Sequence, residues 1–405
     1  MWLIKMAWKN IWRNRNRTVI TMSSIFFAVI LSVLTMSLQW GAFDNLVKNV
    51  VSFYTGYIQV HKAGYWDEQI LDNSFEAEDT LGKRILANEN ISGISPRLES
   101  FALVSAGDIT KGCLIMGVDP EREDKVTRLK EKLTRGDYLE ADDNAVLVAE
   151  GLAQKLKLGV SDTIVLISQG YHGATAAGKY GIKGIARFGS PDLNERMLVM
   201  PLGLAQDMFS AYGMATTYVL SIDDPKELQS TVARIRSVLG NNYEVMSWED
   251  IMPDIKQHIK RDTNNMKYIS GILYMLICFG IFGTLLMMMV ERKFEMGMLV
   301  AIGMKKSKLI FLSLLESVFT VVIGCTLGIA ASIPIVYYFS KRPIRFGGST
   351  AEAFSRFGFE PIFPTSTDAF IFINQGIIVF VIGLVLSLYP TYVIIRLNPI
   401  AAMKR

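Results

Sequence analysis

The chain reads as a membrane protein with four transmembrane α-helices, one plus three, and a large extracytoplasmic α+β domain between helices 1 and 2. Three observations predict this. Four apolar runs are long enough to cross a bilayer, the basic residues cluster at alternate span ends, and residues 42–266 mix strand-like and helix-like patterns. Half of the 405 residues are hydrophobic, and the mean hydropathy is +0.29. That is too greasy for a soluble enzyme and too polar for a chain wholly in lipid.

A helix needs roughly 20 apolar residues to cross about 30 Å of hydrocarbon. Span one, 18–41, contains the uncharged run Val19 to Trp40. Span two, 267–290, runs from Tyr268 to Val290 and ends in Met287-Met288-Met289. Span three, 309–339, is overlong and carries one acid, Glu316; span four, 369–395, is uncharged, with Pro390 near its end. Backbone in lipid must satisfy its own hydrogen bonds, so these segments are helices. The first run exceeds a signal-peptide core, and no small-x-small cleavage site follows at Gln39-Trp40-Gly41, so an uncleaved anchor is expected.

Lys5, Lys9, Arg13, Arg15 and Arg17 precede span one with no acid among them. Arg292, Lys293, Lys305, Lys306 and Lys308 lie between spans two and three, and Arg396, Lys404 and Arg405 follow span four. The positive-inside rule puts these segments, including the tail 396–405, in the cytoplasm. The domain 42–266 and a mixed-charge loop, 340–368, fall outside. Within 1–17, Lys5, Lys9 and Arg13 line one helical face, while Ile4, Trp8, Ile11 and Trp12 occupy another. That pattern predicts an interfacial amphipathic helix.

In the domain, Gly56 to His61 and Thr217 to Ile222 alternate like half-buried strands. Asn144 to Val148 and Thr163 to Ser168 are β-rich, and Glu150 to Leu158 and Pro225 to Leu239 have helical spacing. The Gly-rich piece 169–189 contains Gly173-x4-Gly178-Lys179, which ends in Tyr180 instead of the Ser or Thr that a phosphate loop requires. A flexible hairpin or loop is expected there. Glu121, Glu123 and Asp124, alternating with Arg122 and Lys125, predict a solvated helix face.

No Gly-x-Ser-x-Gly, His-Glu-x-x-His or Cys-x-x-Cys occurs. The scattered Cys113, Cys278 and Cys325 have no metal or disulfide spacing, and a net charge of +4 is too small to argue for nucleic acid. The expectation is a non-catalytic chain with no metal site.

The strongest local signal is Glu291-Arg292-Lys293-Phe294-Glu295-Met296-Gly297-Met298-Leu299-Val300-Ala301-Ile302-Gly303. It predicts a short amphipathic helix within a loop, 291–308, either a plain basic inside loop or a knob presented to a partner. This run resembles the E-R-x-x-E-I-G-x-L-x-A-I-G segment of FtsX-like permeases, the ABC transporter subunits of the MacB and lipoprotein-releasing type. Ala7 to Asn14, Gly117-Val118-Asp119-Pro120, Glu150-Gly151-Leu152-Ala153, Leu156 to Gly159, Trp248-Glu249-Asp250 and Leu397-Asn398-Pro399-Ile400-Ala401 extend the resemblance along nearly the whole chain. Phe294-Glu295-Met296 and Met298 depart from the family's pattern.

The resemblance implies a permease that works by mechanotransmission, pairs with a second copy or paralogue, and sits on a cytoplasmic ABC ATPase dimer. ATP and magnesium would bind that separate ATPase, and this chain would bind no cofactor. The coupling contacts would come from Glu291, Arg292, Lys293, Phe294, Glu295, Met296, Gly297, Met298, Ala301 and Gly303. The outer domain would divide into a porter-like part, 42–110 and 215–265, and an inserted subdomain, 111–214. Membrane lipid, a lipoprotein or a periplasmic protein are the expected partners, and lipoprotein release or amphiphile export in the bacterial inner membrane the expected task. The alternative within the family is ATP-driven signalling to a cell-wall hydrolase without transport.

Three span features remain open in the sequence. Glu316 is a candidate intramembrane polar site or a snorkelling acid. Met36, Trp40 and Phe43 are candidates for a lipid-facing substrate cavity, although an interfacial aromatic belt explains Trp40 equally well. Gly324-x3-Gly328 favours close packing within the chain.

Overall fold

After Pro253 no proline occurs until Pro334, and the chain uses that freedom to build one unbroken helix, Pro253–Ala301. In the computed structural model, which describes residues 2–13, 15–77, 79–349 and 362–396, four helices are long and apolar enough to cross a membrane. They are Thr18–Lys48, Pro253–Ala301, Lys306–Lys341 and Ala369–Ile395. At about 1.5 Å per residue, the 49 residues of the second extend roughly 70 Å, over twice a bilayer core.

The expected separate helix within 291–308 is therefore corrected. Residues up to Ala301 are the last turns of the span-two helix, and only Ile302 to Lys305 lie between it and the next helix. The physical reason lies at Gly303, which adopts φ +105°. Its N–H bonds to the Val300 carbonyl at 3.1 Å, and that of Met304 to the Leu299 carbonyl at 3.0 Å. This is the paired closure of a Schellman cap, which favours glycine at the left-handed position.

The membrane helices pack through small residues. A Cβ on Gly324 would fall 2.9 Å from Ile25, and one on Gly328 2.8 Å from Val29. The pair is thus a seat for span one within the same chain. Ile25, Val29, Val33, Ile281, Leu285, Val321 and Val379 fill the space between the helices. In span four Pro390 offers no N–H to the Leu386 carbonyl, and the helix divides at Ser387, whose hydroxyl donates to Leu384 at 2.7 Å.

The second compact unit, 46–258 with 346–361, contains a sheet of ten strands among the described residues. We number them β1 (Ile58–Lys62), β2 (Ile91–Ala106), β3 (Ile109–Val118), β4 (Leu133–Gly136), β5 (Ala145–Ala149), β6 (Thr163–Gln169), β7 (Thr175–Ala186), β8 (Met197–Pro201), β9 (Thr217–Ile222) and β10 (Tyr243–Ser247). The sheet order is β10-β1-β9-β2-β3-β8-β5-β7-β4, with β6 against β2 and β7. Strands β1, β2, β9 and β10, with helices Asp79–Leu86 and Leu228–Leu239, form the antiparallel split-βαβ arrangement. The 16-residue β2 leaves β9 at Arg97 and continues along β3, so hydrogen bonding runs on into the remaining strands. Leu98, Ile115, Leu147, Val148, Leu166 and Val199 lie in the core beneath.

Of two expectations here, the hairpin holds and the solvated helix face does not. Gly178 and Lys179 lie within β7, paired with Leu166 and Val165, so the Gly-rich piece is a regular hairpin and its lysine approaches no phosphate cradle. Glu123 is not on a solvated face: it is fully buried beside the fully buried Arg97. Gly117 and Asp119, part of the family-like pattern, serve packing and capping. A Cβ at Gly117 would strike the Ala205 Cβ at 2.3 Å, and the Asp119 carboxylate caps helix Pro120–Thr127 through two N–H bonds of 3.1 Å. Asn14, residues 350–361 of the loop, and the tail with its Leu397 to Ala401 motif lie outside the described residues.

Candidate functional site

The helix Trp2–Arg13 buries Ala7 and Ile11 against its own unit. It leaves Lys5, Lys9 and Arg13 exposed. Trp2, Ile4, Trp8 and Trp12 are also largely exposed, with Trp8 edge-on to Phe319 of span three at 6.0 Å. The Thr18 hydroxyl donates to the Ile11 carbonyl at 3.0 Å and fixes the turn into span one.

This seating brings three helices together around Glu316. One of its oxygens accepts from the Asn10 amide at 2.7 Å, and the other from the Arg292 guanidinium. The Arg292 and Glu316 side chains are 11% and 8% exposed. An ionised acid among apolar side chains is costly unless its lone pairs are met. Here both oxygens have a donor, and the donors come from the amphipathic helix and the end of span two. Nearby, Arg13 reaches Glu295 at 3.5 Å in a more open pair.

Arg292 and Glu295 were expected to face a partner. Arg292 turns inward toward Glu316 of span three, while Glu295 stays partly exposed and pairs with Arg13 of the N-terminal helix. Met296 and Gly297 are also buried, with Met296 against Leu309 and Ile394. What remains outward is an apolar ridge: Phe294 is 52% exposed, Met298 42% and Ile302 77%. Glu291, Lys293, Ala301 and Gly303 are exposed beside it. The i, i+4, i+8 spacing puts the three apolar residues on one helix face.

At the other candidate position, Met36 is half-buried and its sulfur accepts from Ser270 of span two at 3.5 Å. Trp40 is 49% exposed and Phe43 half-buried. Sequence reasoning missed a second polar contact inside the bundle. The Gln375 carbonyl accepts from Tyr274 at 2.7 Å and from the Ser32 hydroxyl, joining spans four, two and one. The adjacent amides Asn374 and Gln375 in the apolar run of span four were the available signal. It also missed Asn10, which carries no anomaly in an amphipathic stretch.

The sequence pattern of the MacB-like periplasmic core domain matches residues 18–238. The chain belongs to that family. The pattern of the FtsX-like permease C-terminal region matches residues 268–399, so spans three and four, most of the span-two helix, and Arg292 and Glu316 fall within it, while Asn10 does not. Across 97% of its length the chain is 24% identical to the macrolide export ATP-binding/permease protein MacB of Nitrobacter winogradskyi, covering 58% of that protein. It is 20% identical to the lipoprotein-releasing system transmembrane protein LolC of Xylella fastidiosa, over 62% of each. The chain thus spans about three-fifths of these relatives. The periplasmic region of MacB from Actinobacillus actinomycetemcomitans aligns with 51% of the chain at 12% identity and a TM-score of 0.36. The MacB-like domain is the large α+β region between the first and second membrane helices.

Proposed function

We propose that this chain is the permease subunit of an ABC transporter of the MacB and lipoprotein-releasing kind, acting by mechanotransmission. Both termini are cytoplasmic, the α+β domain lies outside the bacterial inner membrane, and a second permease copy or paralogue completes the membrane part. An ABC ATPase dimer supplies ATP and magnesium binding. ATP-driven closure moves the end of span two, and the helix carries that motion outward to release a lipoprotein or another amphiphile.

One observation carries this reading. The end of the span-two helix presents Phe294, Met298 and Ile302 outward, while Arg292 and Glu295 tie the same turns to span three and the N-terminal helix. An apolar ridge on a braced helix can receive a push without folding away. The driving event must favour one of two arrangements, since a partner binding both equally shifts nothing. The names of the relatives support the transporter class.

The test is co-purification with the cognate ABC ATPase, followed by ATP hydrolysis in proteoliposomes. Phe294→Asp with Met298→Asp should lower both ATPase retention and stimulated hydrolysis at least tenfold, leaving the melting of the α+β domain unchanged. Undiminished retention and hydrolysis would overturn the assignment of this ridge as the drive point.

A further inference from the structure

A cleft of about 260 Å³ opens within the α+β domain where the split-βαβ strands meet the inserted ones. Aromatic groups form one wall. His61 on β1 stacks on Tyr65 with ring centres 5.0 Å apart and planes 13° from parallel. Trp66 stands 5.7 Å from the same imidazole, and Tyr54 closes the wall beside them. The charged groups lining the cleft are Glu99 and Asp192; among the described residues no lysine or arginine lines it.

The cations behind the wall are engaged by Glu123 as well as by Glu99. Arg97 lies fully buried behind Glu99, but it is held at two points by Glu123, at 2.7 and 3.1 Å, and meets Glu99 at one, at 3.2 Å. The other Glu99 oxygen accepts from the Tyr54 hydroxyl, a neutral donor. Behind the wall the Arg97 guanidinium and the Lys132 amine, which burial lowers to about 7 and Glu123 raises, share Glu123 and Glu99, and of these four groups only Glu99 lines the cleft. Asp192 is paired with Arg196 across the helix surface. Burial drops His61 to about 4, against the small raising effect of its bond to Thr216, so it adds no positive charge near neutrality. The chain already lays one cation on this wall, with the Arg97 guanidinium 5.2 Å from the centre of the Tyr54 ring.

We propose that this cleft binds an organic cation, a protonated or quaternary amine on an apolar body, with the amine at Glu99 and the body against Tyr65 and Trp66. Ring faces attract a cation within about 6 Å, and more strongly where water is excluded. A concave, largely aromatic site with few convergent polar groups is the usual form of a small-molecule site. An anion would meet two lining carboxylates with no lysine or arginine among the lining residues.

The site is tested on the full-length protein in an uncharged detergent, without any ATPase, so failure here is distinct from failure of the coupling reading. Radiolabelled benzyltrimethylammonium is the probe and benzenesulfonate the anionic control, both by equilibrium dialysis. The cation should bind saturably at one site per chain and the sulfonate should not. Glu99→Gln and Trp66→Leu should each weaken the cation about tenfold, and Asp192→Asn two- to threefold. Trp66 is outside the Arg97 hydrogen bonds, so Trp66→Leu decides the matter if Glu99→Gln disturbs packing. Equal retention of cation and sulfonate, or affinity within twofold of the parent for Trp66→Leu, would overturn the proposal.

Discussion

Arg97 and Arg292 each meet a buried glutamate, but the two clusters are built for different work. Around Arg97 everything is local: Glu123 lies 26 positions away, Ser95 adds a bond of 2.8 Å and Thr127 another of 2.8 Å. These groups sit on β2 and on the helix Pro120–Thr127 packed against it, and the central pair is fully buried. Around Arg292 the contacts bridge the chain, with Asn10 and Glu316 separated by 306 positions. Three helices meet there, tied by single bonds and not by a fork. The first cluster fixes one arrangement; the second can be undone by sliding one helix. Under the proposed mechanism, stiffness belongs in the domain that would be moved, and a breakable joint where motion would enter.

The largest effect should come from breaking the stiff cluster. Arg97→Met leaves Glu123 and Glu99 as buried carboxylates without their cation and should cost about 3–5 kcal/mol. Scanning calorimetry of the full chain reads this as a lower melting temperature of the α+β domain. Adding Glu123→Leu should recover much of the loss, because one buried acid remains instead of two. A single variant as stable as the parent would remove the distinction between the clusters.

Acid should act on the same layer. Burial alone would raise the Glu123 carboxyl, but Arg97 and the hydroxyls of Thr127 and Ser95 overcome it and hold the pKa below the usual value. That stability is present above the unfolded carboxylate range and is lost as pH falls through the lower folded value. Burial also lowers His61 from 6.5 to about 4. The unfolded chain therefore binds a proton first, and stability falls as pH drops from about 6.5 to about 4, by roughly 3 kcal/mol in total. His61→Gln should flatten the slope in that window, measured as denaturant midpoint against pH. An unchanged slope would mean that His61 is not the group responsible.

These two clusters also show what a sequence reveals. Glu316 was legible because one acid in an apolar span is an anomaly of hydrocarbon. Glu123 was not, since acids alternating with bases in a polar stretch look alike whether the fold buries one or none. Strand and helix positions such as Thr217–Ile222 were legible from their two- and 3.6-residue periods. The ends of helices were less so: periodicity carried the segment from 291 onward as helix, but its continuity with span two depended on the absence of any breaker before Gly303. The inward turn of Arg292 depended on Asn10 and Glu316, both remote in the chain.

Weakening the joint should separate stability from coupling. Glu316→Gln keeps the shape and the contact with Asn10 but removes the charge facing Arg292, a change of about 1.5–3 kcal/mol for a charged hydrogen bond. The α+β domain should melt as before, while ATPase stimulation falls in proteoliposomes. Parallel loss in both readouts would mean that the cluster only supports folding.

The smallest stability change should come from the turn that ends the span-two helix. At Gly303 the backbone has φ +105°, and among the described residues nothing lies within 4 Å of an added Cβ. Gly303→Ala therefore acts through backbone strain alone, about 1–2 kcal/mol. Asparagine tolerates positive φ better than alanine, so Gly303→Asn should cost less. If the turn sets the angle at which the ridge of Phe294, Met298 and Ile302 is offered, alanine should lower stimulated hydrolysis more than asparagine, while both leave the melting of the α+β domain intact. Equal activity in the two variants would show that the joint, and not the turn, governs transmission, and would confine the breakable element to Asn10, Arg292 and Glu316.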